Sequence, residues 1–470
     1  MGTINSALNI MTGALNNDQA ALNVVANNVA NANTPGYTEE QPGWQQNGPI
    51  DINGNLIGQG ATETGAVSQR DRVLNERLDQ QQQLASASGT RLTALNTVQS
   101  LFTPDSGSST SAAGDIGSDL TGFFNSFSSL EANPTDNALR QNVLSTASTL
   151  SGDISNAAAS LNAQRSALDQ EATGVTSQVN SLTSALAQLN LQIQSASPNS
   201  DAGTLEDQRQ QDLSQLSQLV GINQITTENN GLSITTTSGQ LLVSQGQSFQ
   251  ITTGSVNGVT DFFAGGNDIT AQLSSGGGQL GGYLTARDQD IPSVLNSLDQ
   301  LAYGVSTQVN ALNNAGTDLA GDNGNAGDIF LEPTQVAGSA AAMSVVMTDP
   351  NHIAAAALGG GSGDNGNAVA MAGVANQTIV NGETPSNYYS DFVTTLGSTV
   401  QQVQTENTAQ TASVTQLQTQ NNSLSSVNLN DEASSLTQFE RSYQAASQAF
   451  TILNTMMASA LNLGEQTTVS

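Results

Sequence analysis

Both ends of this 470-residue chain carry a narrow apolar seam, and a helix built that way has no stable resting place until another helix covers it. Ile4, Leu8, Met11, Leu15, Leu22, Val25 and Val29 follow alternating steps of four and three, with only Asp18 breaking the series. At the other end Leu436, Phe439, Tyr443, Ala446, Phe450, Leu453, Met457 and Ala460 step by three and four without a miss. A mean spacing near 3.5 residues is the signature of a coiled-coil stripe. Pro35 and Gly36 stop the first helix, because the residue before proline avoids the helical region. Asp431 and Glu432 stand at the start of the second, where acids complement the helix dipole. Each buried Leu-sized side chain contributes about 2 kcal/mol, which ordering the chain largely cancels. The terminal pair is therefore expected to be marginal alone and to fold fully against a neighbour.

Further heptad segments lie between the ends. One runs from Ala158 to Ile193, a second from Ile291 to Leu312, a third from Val393 to Leu424 and a less regular one from Val73 to Phe102. Leu139–Leu150 predicts a separate, shorter helix. Alternating apolar residues with Gly and Asn turns are confined to about 221–275, and Trp44–Val67 reads as an extended arm or hairpin. Pro104–Asp115 and Gly359–Asn367 read as loops. The expected architecture is multidomain and mainly α with an inserted β domain: the N- and C-terminal helices pair as a coiled-coil layer, followed by a central long-helix bundle and a small β-rich outer domain. The expected boundaries are 1–35 for the N-terminal coiled-coil segment, 36–200 for the arm and long helices, 201–275 for the β-rich insert, 276–425 for the returning helical core and 426–470 for the C-terminal segment that pairs with 1–35.

Composition excludes several function classes. Thirty-nine acidic residues face nine basic ones, all arginine, for a net charge of −30. That balance repels phosphate backbones and anionic membranes, so neither nucleic acid nor membrane is an expected partner. Cysteine is absent, which removes disulfides and thiolate metal sites. His352 is the only histidine, so a zinc site lacks ligands, and no Gly-x-Ser-x-Gly elbow occurs for a hydrolase. His352 itself, after Asp349-Pro350, reads as a solvated or capping residue. Gly276, Gly278 and Gly281 match a dinucleotide fingerprint in spacing, but no repeating βαβ pattern surrounds them, and they read as a flexible entry to the helix at Ile291. The clusters Asp322–Asp328 and Asp364–Asn367 read as tight turns, since neither has the bidentate Glu of a calcium loop at the proper distance. No catalytic, cofactor or metal residue is expected. No apolar run approaches the ~20 residues of a membrane span. The first basic residue is Arg70, so the N-terminus lacks the charged region of a cleavable signal. That leaves a cytosolic protein, or one exported by a machine that reads no such signal.

The segment Ala26–Tyr37 carries Asn27, Asn28, Asn31, Thr34, Pro35, Gly36 and Tyr37, and it resembles the N-terminal motif of flagellar rod, hook and hook-associated axial proteins. Val427-Asn-Leu429 and Tyr443–Ala446 resemble its C-terminal partner motif, with Asn430 displacing the usual acid. Interior segments are similar to one branch, the hook–filament junction family: Gly278–Leu284 with Arg287-Asp288, Val309-Asn310, Thr348–Ile353, Gly363–Ala368, Phe123–Asn125, Asn133-Pro134 and Arg140–Val143. Asn313-Asn314 stands where that family often carries His. The resemblance implies a structural, non-enzymatic subunit that passes unfolded through the flagellar type III export channel. Its terminal helices would be disordered in solution and fold into an inner coiled-coil tube on assembly. The implied partners are further copies of itself, the hook protein, a second hook-associated junction protein and an export chaperone. The implied location is extracellular, at the hook–filament junction. Two other readings are a hook or rod axial subunit, and a secreted ligand-binding effector that borrows the flagellar export route.

Overall fold

Helix α1 (Gly2–Asn31) opens the chain and ends where Gly36, at φ +81°, lets the backbone reverse. The computed structural model describes residues 2–52, 54–102, 115–196, 201–228, 230–256 and 258–466. After the reversal, β1 (Glu40–Gln46) pairs antiparallel with β4 (Ala61–Ser68), from Glu40 opposite Ser68 to Gln46 opposite Ala61, with a bulge at Gly43/Trp44. Between them β2 (Ile50–Ile52) and β3 (Asn55–Ile57) form the hairpin tip. The hairpin lies on α1, where Asn17 Nδ2 donates to the Ala61 carbonyl at 2.9 Å.

The body begins with α2 (Arg72–Ser100), whose first turn is capped by Asp71 accepting from the amides of Val73 and Leu74. Helix α3 (Ile116–Ala132) is capped in the same way by Asp115. Residues 104–114 of the expected Pro104–Asp115 loop lie outside the described residues. Helix α4 (Asn137–Ala196) then runs for 60 residues, about 90 Å at 1.5 Å per residue. The short helix expected over Leu139–Leu150 is its first part. Gly152 does not break it, because Ser151, Ile154, Ala157 and Ala158 are all buried and the packed face continues through the glycine.

Helix α5 (Thr204–Leu219) precedes the strands. Strands β5 (Ile222–Thr226), β6 (Leu232–Thr236), β7 (Leu241–Ser244) and β8 (Gln247–Ser248) form an antiparallel sheet in sequence order. Strands β9 (Ile251–Val256), β10 (Val259–Ala264) and β11 (Asn267–Asp268) form a second, three-stranded one. Helices α6 (Thr270–Ser274) and α7 (Gly278–Thr285) lead through a π-helical turn at Ala286–Asp290 into α8 (Ile291–Ala315). The glycine-rich stretch is therefore not a flexible entry. Its glycines permit close packing: a Cβ on Gly282 would sit 2.5 Å from the Ala87 carbonyl of α2, and one on Gly278 would sit 2.5 Å from the Val220 amide. Short α9 (Ser339–Ala342) and α10 (Gly366–Gly373) interrupt a long irregular return. Helix α11 (Pro385–Ser425) starts with proline in its first turn and Thr384 as cap, and α12 (Leu429–Gln466) closes the chain.

Two apolar cores result, and α4 threads both. Its first half packs with α2, α3, α8 and α11 around Phe123, Phe127, Phe330 and Leu298. Its second half packs with α5, α7 and the two sheets around Val179, Leu216, Ile234 and Phe262. The architecture is mainly α with an inserted β segment, and α1 pairs with α12, as the terminal seams require. No helix among the described residues is long and apolar enough to cross a membrane.

Candidate functional site: the terminal helix layer

Neither core contains a residue of α1 or α12. Of the expected seam, Val25 alone is fully buried, at 3% exposure. Ile4, Leu8, Met11, Leu15 and Leu22 on α1, and Phe439, Phe450, Leu453 and Met457 on α12, are half-buried. Val29, Leu436 and Tyr443 are exposed. So are three α12 residues beside the expected series, Ile452, Met456 and Leu461, each more than half exposed (59%, 53% and 52%). The pair thus covers one side of each helix and leaves apolar side chains of α12 in solvent. Trp44 of β1 meets Phe439 edge-on with ring centres 5.9 Å apart, which adds the hairpin to this layer.

The motif at the end of α1 joins the layer together. Asn28 is buried, and its amide serves three segments at once. Its Nδ2 donates to the Glu40 carbonyl and to Glu432 Oε1, both at 2.8 Å. Its Oδ1 accepts from the Tyr37 hydroxyl at 2.8 Å and from the Glu40 amide at 3.1 Å. Only an asparagine or glutamine side chain supplies two donors and an acceptor in one plane. Asn31 Nδ2 donates back to Asn27 Oδ1 at 2.8 Å, and Thr34 Oγ1 donates to Asn31 Oδ1 at 3.2 Å, which winds the chain into the turn at Pro35 and Gly36. Burial pushes the Glu432 carboxyl up, opposed by the bond from Asn28, and burial with the nearby Glu40 raises the Tyr37 hydroxyl. Both groups therefore hold their protons more tightly than in water.

Below the motif a charged neck fastens the layer to the body. Arg70 pairs with Glu206 at 2.7 Å and with Asp207 at 2.6 Å, and Arg72 reaches Glu206 at 2.9 Å. Asp207 also accepts from the Thr38 amide at 3.0 Å and the Thr38 hydroxyl at 2.7 Å. Sequence reasoning missed this cluster because Thr38, Arg70 and Arg72 lie more than 130 positions from their partners Glu206 and Asp207. His352, expected to be solvated or capping, instead bonds an acid: its Nδ1 lies 2.7 Å from buried Asp318 Oδ2, which raises the imidazole pKa. With Asp322 these side chains bring three ligand atoms within 4.8 Å. Asp318 Oδ1 already accepts from the Asp322 amide at 2.8 Å, so the group serves as a hydrogen-bonded turn. Across from it Asn310 and Asn313 clamp the irregular return. Asn310 Oδ1 accepts from the Ile329 and Phe330 amides, and Asn313 Nδ2 donates to the Gly327 and His352 carbonyls.

Known flagellar proteins match the chain along most of its length. A family model described as the flagellar hook-associated protein FlgK helical domain matches residues 105–330, and one for flagella basal body rod proteins matches residues 8–38. Flagellar hook-associated protein 1 of Salmonella typhimurium is 25% identical, with 98% of this chain and all of that protein covered. Its counterpart in Bacillus subtilis is 26% identical over 96% of each chain. The Salmonella alignment spans 566 positions against the 470 residues here, so that relative carries segments this chain lacks. The flagellar hook junction protein FlgK from Burkholderia pseudomallei has the same fold, with a TM-score of 0.64 at 19% identity over 73% of this chain and 99% of that one. By these matches the chain is a structural component of the flagellum, not an enzyme. Among such components, this chain is similar to flagellar hook-associated protein 1 over nearly its whole length.

Proposed function

We propose that the chain forms the junction layer between hook and filament, is exported unfolded, and assembles through α1 and α12. The observation that carries the reading is the exposed apolar face of α12, with Ile452, Met456 and Leu461 outside both cores and uncovered by α1. Apolar side chains grouped on one exposed helix of an otherwise acidic chain call for a neighbour of the same kind, which neighbouring copies supply by stacking along a helical lattice that grows rather than closes. The hook protein below and the second hook-associated junction protein above complete the set of partners, with an export chaperone shielding the seam before assembly. The extracellular location follows from that role.

The double variant Val25→Asp/Leu453→Asp tests it in cells. The expected result is a soluble monomer and cells with hooks but no filaments. Normal filaments would remove the packing role. Labelled wild-type protein should appear as one band at the distal end of isolated hooks, and a label spread along hook or rod would favour another axial position.

A further inference from the structure

Where α2, α5 and the last turns of α11 meet the turn after α1, a cavity of about 270 Å3 separates the terminal layer from the body. Its wall includes Tyr37, Asp79, Asp207, Gln210, Asn421 and Ser425. Asp79 is wholly buried. Gln210 and Gln224 donate to its Oδ2 at 3.0 and 2.8 Å, and its Oδ1 has no partner. Asn421 Oδ1 on the same wall is likewise buried and unpartnered. Two orphaned acceptors on one cavity demand a donor or a cation, since buried oxygens left bare are costly.

The neighbouring charges do not meet that demand. Arg70, Arg72 and Arg209 engage Glu206, and the charge felt most at Asp79 is a second acid, Glu76. The donors on offer are carboxylate, amide and hydroxyl oxygens, a set that prefers hard cations. We propose that this neck cavity binds a hard cation of the Ca2+ class, with Asp79 as the charged ligand and Asn421 as a neutral one. The volume exceeds that of one ion, so waters complete the coordination shell, as they commonly do for Ca2+. Binding neutralises the buried Asp79 and ties α2 to the end of α11. Ser425 is the last residue of α11, and its carbonyl accepts from the Glu39 amide at 2.9 Å, so the ion braces the joint between body and terminal layer.

Tb3+, a luminescent stand-in for Ca2+, tests the site in the full-length protein, with Tyr37 in the wall as the antenna. The expected result is a saturable emission that Ca2+ displaces and NaCl at equal ionic strength does not. Asp79→Asn is expected to weaken that component at least tenfold, and Asn421→Ala several-fold. Indistinguishable titrations for wild type and both variants would place the binding on exposed acids and leave water alone in the cavity, overturning the proposal. Should Asp79→Asn lose the wild-type circular dichroism, the Asn421→Ala comparison decides by the same criterion.

Discussion

Burying a guanidinium costs several kcal/mol unless its donors are matched, and Arg287 and Arg140 meet that requirement in opposite ways. Arg287, within the π-helical turn, is 1% exposed and is held by Asp169, by both oxygens of Asp288 at 2.8 Å and by the Thr260 carbonyl at 2.7 Å. Against its burial, the bonds to these carboxylates keep its pKa above the ordinary value. Arg140 has only carbonyl acceptors, Pro134 at 2.8 Å with Pro350 and Ile353, and burial lowers its pKa. Arg287→Leu is expected to cost about 2 to 4 kcal/mol in urea unfolding, because two carboxylates lose a partner while remaining partly solvated. Arg140→Leu should cost less, since it removes a charge that no acid pairs and leaves only carbonyls unmet. The reverse order would show that the carboxylate pairing at Arg287 is not what matters. Asp79 gives a pH signature. Burial pushes its carboxyl up to about 6 from 3.8, so between those values the folded chain binds a proton that the unfolded chain has released. Stability from this group is full below the lower value and falls as pH rises towards 6, by about 3 kcal/mol in all. With divalent ions chelated, Asp79→Asn is expected to flatten that part of the stability–pH curve. An unchanged slope would assign it to other acids.

At the level of elements, the terminal layer is attached to the body without sharing its cores. Trp44, the only tryptophan, touches Phe439 and so reports on that layer alone. Its emission is expected to change at lower urea than the helical circular dichroism signal. Val25→Asp, a charge in the one fully buried seam position, should advance the Trp44 transition further while moving the main one by less than about 0.5 kcal/mol. Coincident transitions that shift together would mean that layer and body unfold as one. The sequence shows these helices plainly, because a 3.5-residue seam persists over many turns in α1, α8 and α12. It hides α5, where Gln and Ser fill the surface between widely spaced Leu213, Leu216 and Leu219. It misleads at α7, where glycines that look like a hinge are there for close contact with α2. The role of Asn28 is invisible for another reason: its partners lie 9, 12 and 404 residues away, and one polar residue in a polar motif carries no periodicity.

For the molecule as a whole, charge and seam oppose each other. Copies that stack through α12 bring together chains of net charge −30 with no lysine and nine arginines, several already neutralised internally by Asp and Glu. At 10 mM ionic strength the screening length is about 30 Å, so acids well away from the contact still repel those of a neighbouring copy. At 150 mM it is about 8 Å, and only acids close to the contact still repel. The apolar attraction is short-ranged and barely weakened by added salt. Self-association of purified protein, followed by sedimentation velocity, is therefore expected to be absent at 10 mM NaCl and to rise steeply towards 150 mM. Val25→Asp/Leu453→Asp should abolish it at every salt concentration. Association that is strongest in low salt would mean that ion pairs between copies drive assembly, and the uncovered face of α12 would then lose its place as the driving contact.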